Sequence, residues 1–171
     1  MKQKFLLLFL ATASFANLNN INSFEADFSQ SISDDQNKTI LYYGHVKASK
    51  PQYALWTYIK PIQKKVYIMD NQAIIVEPEL EQAIIKKIGN NFDFFTLIKN
   101  AKKLANDKYL AKYNNTSFII KTKNSSIESI SYKDEFENRV LINFTNQIVN
   151  KKIDKKEFTP VIPDEYDVIR G

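Results

Sequence analysis

The chain has 171 residues, the length of one domain, and its 44% hydrophobic and 13% aromatic residues are enough to fill a core. Three glycines are too few for a glycine-rich phosphate loop. The absence of cysteine excludes disulfides, zinc–thiolate sites and thiol catalysis. The formal net charge is +5, a mild basic excess.

The first sixteen residues predict a secretory signal peptide. Lys2 and Lys4 precede the apolar run 5–10, which is too short to span a membrane. Ser14-Phe15-Ala16 then places small residues at the −3 and −1 positions of a cleavage site. The alternative is an N-terminal anchor that stays in place.

Cleavage would leave a single soluble domain, residues 17–171, with 22 basic against 19 acidic residues. No cysteine stands at the cleavage point for lipid attachment, so we expect this domain in an envelope or extracellular space. We do not expect an exported chain of such mild charge to bind nucleic acid, whereas acidic partners and anionic lipid head groups stay open.

Short alternating segments predict a mainly β protein. Phe24–Ile32 alternates between apolar and polar side chains, and residues 39–48 do so again. Gly44 lies inside the second segment, where a glycine indicates a bend or a close approach. Residues 83–88 fit either a strand or a helix. The further predicted strands are 65–69, 73–76, 109–113, 117–123, 127–132, 139–144 and 148–153.

An aromatic strand lies between Pro51 and Pro61 and contains the single tryptophan, Trp56. Proline fixes φ and has no backbone donor, so the two prolines predict sharp ends for this strand. Lys50 precedes the first proline and places a cation at the rim. One face of the strand carries Ala54, Trp56 and Tyr58.

Residues 92–104 predict the best helix of the chain, because their apolar side chains recur at helical spacing. The C-terminal residues 157–168 are expected to be extended and proline-rich. The apolar stripe of the helix consists of Phe94, Leu97, Ile98, Ala101 and Leu104.

The residues that usually carry catalysis are sparse. His45, the single histidine, falls on the polar face of a strand, where a solvated side chain is the simpler interpretation. No GxSxG sequence accompanies it, which argues against a hydrolase triad. Glu77, Glu79 and Glu81 could bind a hard cation, but a solvated surface is the favoured interpretation. We therefore predict no catalytic residue, no metal and no cofactor.

Four segments, in order, resemble the LolA family of periplasmic outer-membrane lipoprotein carriers. They are FEADFSQ at 24–30, KPQYALWTYIKP at 50–61, VYIMDNQAIIVEPELEQA at 66–83 and FTPVIPDEYDV at 158–168. The signal peptide and the missing lipidation cysteine agree with the carrier and disagree with its lipidated relative LolB.

The resemblance implies an unclosed antiparallel half-barrel of about eleven strands with a helical lid over a hydrophobic cavity. It further implies a non-enzymatic monomer that carries acylated lipoproteins from the inner to the outer membrane. Such a carrier would receive its cargo from an inner-membrane ABC transporter of the LolCDE kind. It would deliver the cargo to an outer-membrane acceptor of the LolB kind, where one exists.

The resemblance also implies roles for particular residues. Lys50 takes the place of an arginine that is thought in the family to hold the lid by hydrogen bonds. Lysine keeps the charge but lacks the planar fork of donors, and a solvated strand-end lysine is the alternative. The lid would include Phe94, Phe95, Leu97 and Ile98. The acyl-chain cavity would be lined by Phe24, Ala26, Phe28, Ala54, Trp56 and Tyr58.

Three alternatives remain open from the sequence. The aromatic excess fits a large core as well as a cavity, since periodicity does not distinguish them. The same half-barrel could serve as a periplasmic sensor or interaction module that holds no lipid. A lipid-processing hydrolase is a third possibility, which the missing nucleophile–base set disfavours.

Overall fold

The computed structural model describes residues 18–69, 71–88 and 94–171. The predicted signal peptide, Asp70 of a predicted turn and residues 89–93 lie outside these ranges. The strands are β1 Ser23–Ser33, β2 Thr39–Ser49, β3 Tyr53–Lys60, β4 Lys64–Met69, β5 Gln72–Glu77, β6 Gln82–Lys87, β7 Lys102–Ala105, β8 Lys108–Tyr113, β9 Thr116–Lys123, β10 Ser126–Lys133, β11 Arg139–Val149 and β12 Asp167–Arg170. Helix α1 is Phe94–Lys99, and 3₁₀ turns occupy Leu18–Asn20, Pro78–Leu80 and Lys155–Phe158.

The twelve strands form one sheet in the order β12-β6-β5-β4-β3-β2-β1-β11-β10-β9-β8-β7. All neighbouring strands are antiparallel except β12, which runs parallel to β6. The end strands β7 and β12 do not pair with each other, so the sheet is unclosed. The predicted unclosed, mainly antiparallel fold is confirmed, with twelve strands in the described residues.

Strand β1 lies at the centre of the sheet and pairs with β2 and β11. Its alternate residues Phe24, Ala26, Phe28 and Gln30 are buried on one face, which we call the inner face. Gly44 of β2 stands opposite Phe28. The predicted close approach at this glycine is confirmed, because the Phe28 ring occupies the space that a Cβ would need.

The outer face of the sheet carries a second, smaller core. Tyr67, Ile74, Val76 and Ala83 of β4, β5 and β6 are buried there, against Ile162 and Tyr166 of the C-terminal segment. This segment is therefore not simply extended, as the sequence suggests. It begins with the 3₁₀ turn and ends as β12, which adds a parallel strand at the edge beside β6.

The prediction of a helix as far as residue 104 is wrong. Helix α1 ends at Lys99, and residues 102–105 form β7, which pairs with β8 across a turn where Asp107 has φ 56°. Leu104 is consequently exposed rather than part of a helical stripe. A four-residue apolar and lysine-rich segment fits both periods, and pairing with β8 decides between them.

The prediction of a separate strand over residues 148–153 is also wrong. Strand β11 continues to Val149, and Asn150 at φ 59° ends it. The change of register near Asn146, at φ 52°, makes β11 look like two segments in the sequence. Residues 83–88, which left helix and strand open, belong mostly to β6.

Candidate functional site

A cavity of ≈ 660 Å³ lies between the inner face of the sheet and α1. Its size falls in the range of roughly 300–1,000 Å³ that is typical of sites for small molecules. Its lining is mainly apolar. The apolar and aromatic lining residues are Tyr53, Ala54, Trp56, Tyr58, Val66, Ile68, Ile88, Phe94, Phe95, Leu97, Tyr113, Phe118, Ile130, Tyr132 and Ile142.

Strand β3 provides one wall of the cavity through Ala54, Trp56 and Tyr58. The Trp56 ring meets the edge of Phe28 at a centroid distance of 5.1 Å, and Tyr58 meets the same ring at 5.1 Å. Phe24, Ala26 and Phe28 are not among the lining residues and are almost fully buried. These three residues pack behind the wall and hold it in place.

Helix α1 covers the cavity at one end. Phe94, Phe95 and Leu97 line it, whereas Ile98 is only 2% exposed and packs in the core. Phe94 also contacts Phe24, with 5.2 Å between the ring centroids. The first turn of α1 therefore packs against the central strand β1 and also faces the cavity.

Lys50 lies at the rim beside α1 and is exposed. Its Nζ donates a hydrogen bond to Asn22 Oδ1 at 3.0 Å and lies 5.9 Å from the centroid of the Phe95 ring. The contact with α1 is thus a cation–π contact, which is worth about 0.5–1 kcal/mol at an exposed site.

We expect Lys50→Met to loosen α1, because the variant loses the cation above Phe95. The measurement is amide hydrogen exchange of residues 98–100, whose N–H groups can bond within the helix, and this exchange should quicken several-fold, while Lys50→Arg should retain slow exchange. Lys60→Met is the matched control, since Lys60 also precedes a proline but lies at the far end of β3. Equal exchange in Lys50→Met and the unchanged protein would show that this lysine does not hold the helix.

The end of the cavity away from α1 is polar. The Tyr58 hydroxyl donates to Gln30 Oε1 at 3.0 Å, and both residues line the cavity. Burial raises the pKa of Tyr58 and of Tyr132, so both hydroxyls stay protonated at neutral pH. Lys64 Nζ lies 4.6 Å from the Tyr58 ring centroid, next to this cluster.

Gln30 and Tyr132 are not among the predicted site residues. A signal for Gln30 is present in the sequence, because it shares the inner face of β1 with Phe24, Ala26 and Phe28. A polar residue that shares the buried face of a strand with three apolar residues is expected to have a specific hydrogen-bond partner. The contribution of β9, β10 and β11 to the lining has no comparable local signal.

His45 lies on the outer face, away from the cavity, and is hydrogen-bonded to two carboxylates rather than simply solvated. Its Nδ1 lies 2.8 Å from Asp27 Oδ1 and its Nε2 lies 3.1 Å from Glu25 Oε1. Hydrogen bonds from Asn146 and from His45 lower the pKa of Asp27. Lys47 joins this network to Glu157 of the C-terminal segment.

Two further findings concern the described ranges alone. No group of three or more histidine, cysteine, aspartate or glutamate side chains is placed there to hold a metal ion. No helix there combines the length and apolarity needed to cross a membrane.

The fold and the site define the class of this protein, an unclosed β half-barrel with an apolar interior beneath a short helix. The family model described as outer membrane lipoprotein carrier protein LolA matches residues 19–161. The chain belongs to the LolA family, as its sequence motifs predict.

Named relatives agree with this assignment. The chain is 43% identical over 171 residues to a protein of Campylobacter jejuni, covering 99% of this chain and 100% of the relative. It is 35% identical over 154 residues to a protein of Helicobacter pylori strain J99, covering 90% and 83%. Each relative is named an outer-membrane lipoprotein carrier protein.

Solved structures show the same fold at low sequence identity. An uncharacterized conserved protein of Thermus thermophilus matches with a TM-score of 0.55 at 10% identity, covering 90% of this chain and 93% of that one. A LolA superfamily protein of Nitrosomonas europaea matches with a TM-score of 0.51 at 8% identity, covering 82% and 91%. At such identities the likeness concerns the fold alone.

Proposed function

We propose that this chain is a periplasmic carrier that shields the acyl chains of lipoproteins and moves them from the inner to the outer membrane. The observation that carries the proposal is the ≈ 660 Å³ apolar cavity beneath α1 in a member of the LolA family. An acyl chain exposed to water costs about 0.8 kcal/mol per CH₂, so a carrier in an aqueous compartment must cover it.

The carrier acts by binding alone, without a chemical step on its cargo. Because it must also release the cargo, the cavity should bind less tightly than the next site in the route. An inner-membrane transporter of the LolCDE kind would supply the lipoprotein, and an acceptor of the LolB kind would receive it where one exists. The carrier would work as a monomer of residues 17–171 after export by the signal peptide 1–16.

In this proposal, one group of residues contacts the acyl chains and a second group supports the first from behind. The side chains that touch acyl chains are those that line the cavity from β3 and α1, namely Ala54, Trp56, Tyr58, Phe94, Phe95 and Leu97. The side chains behind them, Phe24, Ala26, Phe28 and Ile98, keep the wall and the lid in position. Lys50 adjusts how firmly the lid closes.

Native mass spectrometry tests the proposal. The mature chain, co-expressed with a lipoprotein and purified, should carry that lipoprotein in a 1:1 complex. A lipoprotein whose acylated cysteine is replaced by serine should form no complex, because it has no chain to cover. A complex that forms equally without acyl chains would instead support an interaction module, and the absence of any complex would overturn the carrier proposal.

A further inference from the structure

The cavity differs in polarity between its two ends. At the α1 end the lining is mainly aromatic and aliphatic, with Ala54, Phe94 and Leu97 beside the polar Gln52. At the opposite end the inner face carries Gln30, Tyr58 and Tyr132. The lining there also includes Lys133, the last residue of β10, and Asp134 and Glu135 of the turn that follows. An amphiphile in this cavity would therefore place its apolar tail toward α1 and its polar linkage toward the turn.

Gln30 is the buried polar group at this end. Its side chain is on a residue only 7% exposed, and its Oε1 accepts the Tyr58 hydroxyl at 3.0 Å. In the part of the chain that the structure describes, this is the one hydrogen bond of the Gln30 side chain. The two N–H donors of its amide are not among the buried polar atoms that lack a partner, so they reach the open space of the cavity. A ligand that displaces water from this space must supply an acceptor, because a donor left without one is unfavourable.

The ligand chemistry that satisfies these donors is a neutral carbonyl oxygen. The charged groups at this end give no preference for an anion, because Asp134 and Glu135 lie there together with Lys133 and Lys64. A plain alkyl or ether-linked chain lacks the carbonyl. Ester and amide linkages supply a carbonyl at the first carbon of each acyl chain, where the apolar tail begins.

We propose that Gln30 donates a hydrogen bond to an ester or amide carbonyl of the bound acyl chains. This inference rests on the proposed carrier function and deepens it. The Tyr58 hydroxyl orients the amide by occupying Oε1, so that the N–H groups face the cavity. Gln30 thereby fixes the direction of the chains, with carbonyls at the polar end and tails beneath α1, and selects acyl over alkyl chains.

The test compares two synthetic lipopeptides on the purified mature chain by isothermal titration calorimetry. One carries two ester-linked C16 chains on a glyceryl-cysteine, and the other is its dialkyl ether analogue. We expect the ester form to bind roughly 3–10-fold more tightly, the factor that one hydrogen bond contributes. Gln30→Leu should remove this preference, so that the ester and ether forms bind the variant with equal affinity.

Gln52→Leu is the matched control, since Gln52 lines the same cavity but directly precedes β3, at the α1 end. This variant should keep the preference for the ester. A second measurement compares two complexes: the infrared carbonyl stretch of a ¹³C-labelled ester should lie at lower frequency when the lipopeptide is bound to the unchanged protein than when it is bound to Gln30→Leu, because only the unchanged protein donates a hydrogen bond to the carbonyl.

The outcomes are distinct. Equal binding of both lipopeptides by the unchanged protein, or a carbonyl stretch at the same frequency in both complexes, would overturn the role of Gln30 while the carrier function stands. Preference retained in Gln30→Leu would do the same. Failure of the unchanged protein to bind either lipopeptide would overturn the carrier function itself.

Discussion

We expect Trp56→Glu to abolish binding of a diacylated lipopeptide while the sheet still forms. Trp56 lines the cavity and rests on Phe28, so the substitution places a carboxylate where acyl chains would lie. Burying an unpaired charge costs several kcal/mol, which is enough to lower affinity by more than a hundredfold. The backbone pairs of Trp56 with Val46 and Val66 are not affected by the side chain.

Calorimetry measures the affinity of this variant, and far-ultraviolet circular dichroism checks the sheet. Thr57→Glu is the matched control, because the next residue along β3 points to the outer face. There it is paired with His45 and Lys65, so a new carboxylate lies beside the Lys65 cation. If Trp56→Glu binds the lipopeptide as the unchanged protein does, Trp56 does not contact the acyl chains.

Gly44→Ala should strongly destabilise the protein. A Cβ at this position would lie 2.0 Å from the carbonyl oxygen of Thr57 and 2.7 Å from Cζ of Phe28. The first contact is with backbone, so relief requires β2 and β3 to move apart. Overpacking usually costs about 1–3 kcal/mol, and we expect this case to lie at or above the upper value.

Urea unfolding of the mature chain measures this loss of free energy. Gly171→Ala is the control, because no atom lies within 4 Å of a Cβ at that position. Its free energy of unfolding should change by less than about 0.5 kcal/mol. If Gly44→Ala unfolds at the same urea concentration as the unchanged protein, β2 and β3 are farther apart at this glycine than the structure indicates.

Much of the fold follows from local pattern. The alternation of apolar and polar residues predicted the bounds of β1 and β2 to within a residue or two, because one face of each strand packs in the core and the other faces solvent. Gly44 predicted the close approach of another group to β2 for a reason that is also local. A strand contains glycine where another group occupies the space that a side chain would fill. The family assignment came from ordered motifs rather than from any single one.

Other features were decided by partners distant in the chain. Residues 102–105 became a strand because β8 offered a backbone to pair with. The C-terminal segment became partly β12 because β6 left an edge open and the outer core accepted Ile162 and Tyr166. Pairing energy of this kind has no signature in a short window of sequence.

For the candidate site, too, some features follow from the sequence and others from the tertiary structure. The sequence alone determined which side chains of β1 and β3 point inward, since strand alternation fixes direction. Only the tertiary structure decided that Trp56 meets a cavity whereas Phe24 meets the packed core, and that Gln30 lines the cavity and accepts the Tyr58 hydroxyl. The reason is physical: whether an inward side chain meets another side chain or open space depends on how far α1 and the two halves of the sheet stand from it.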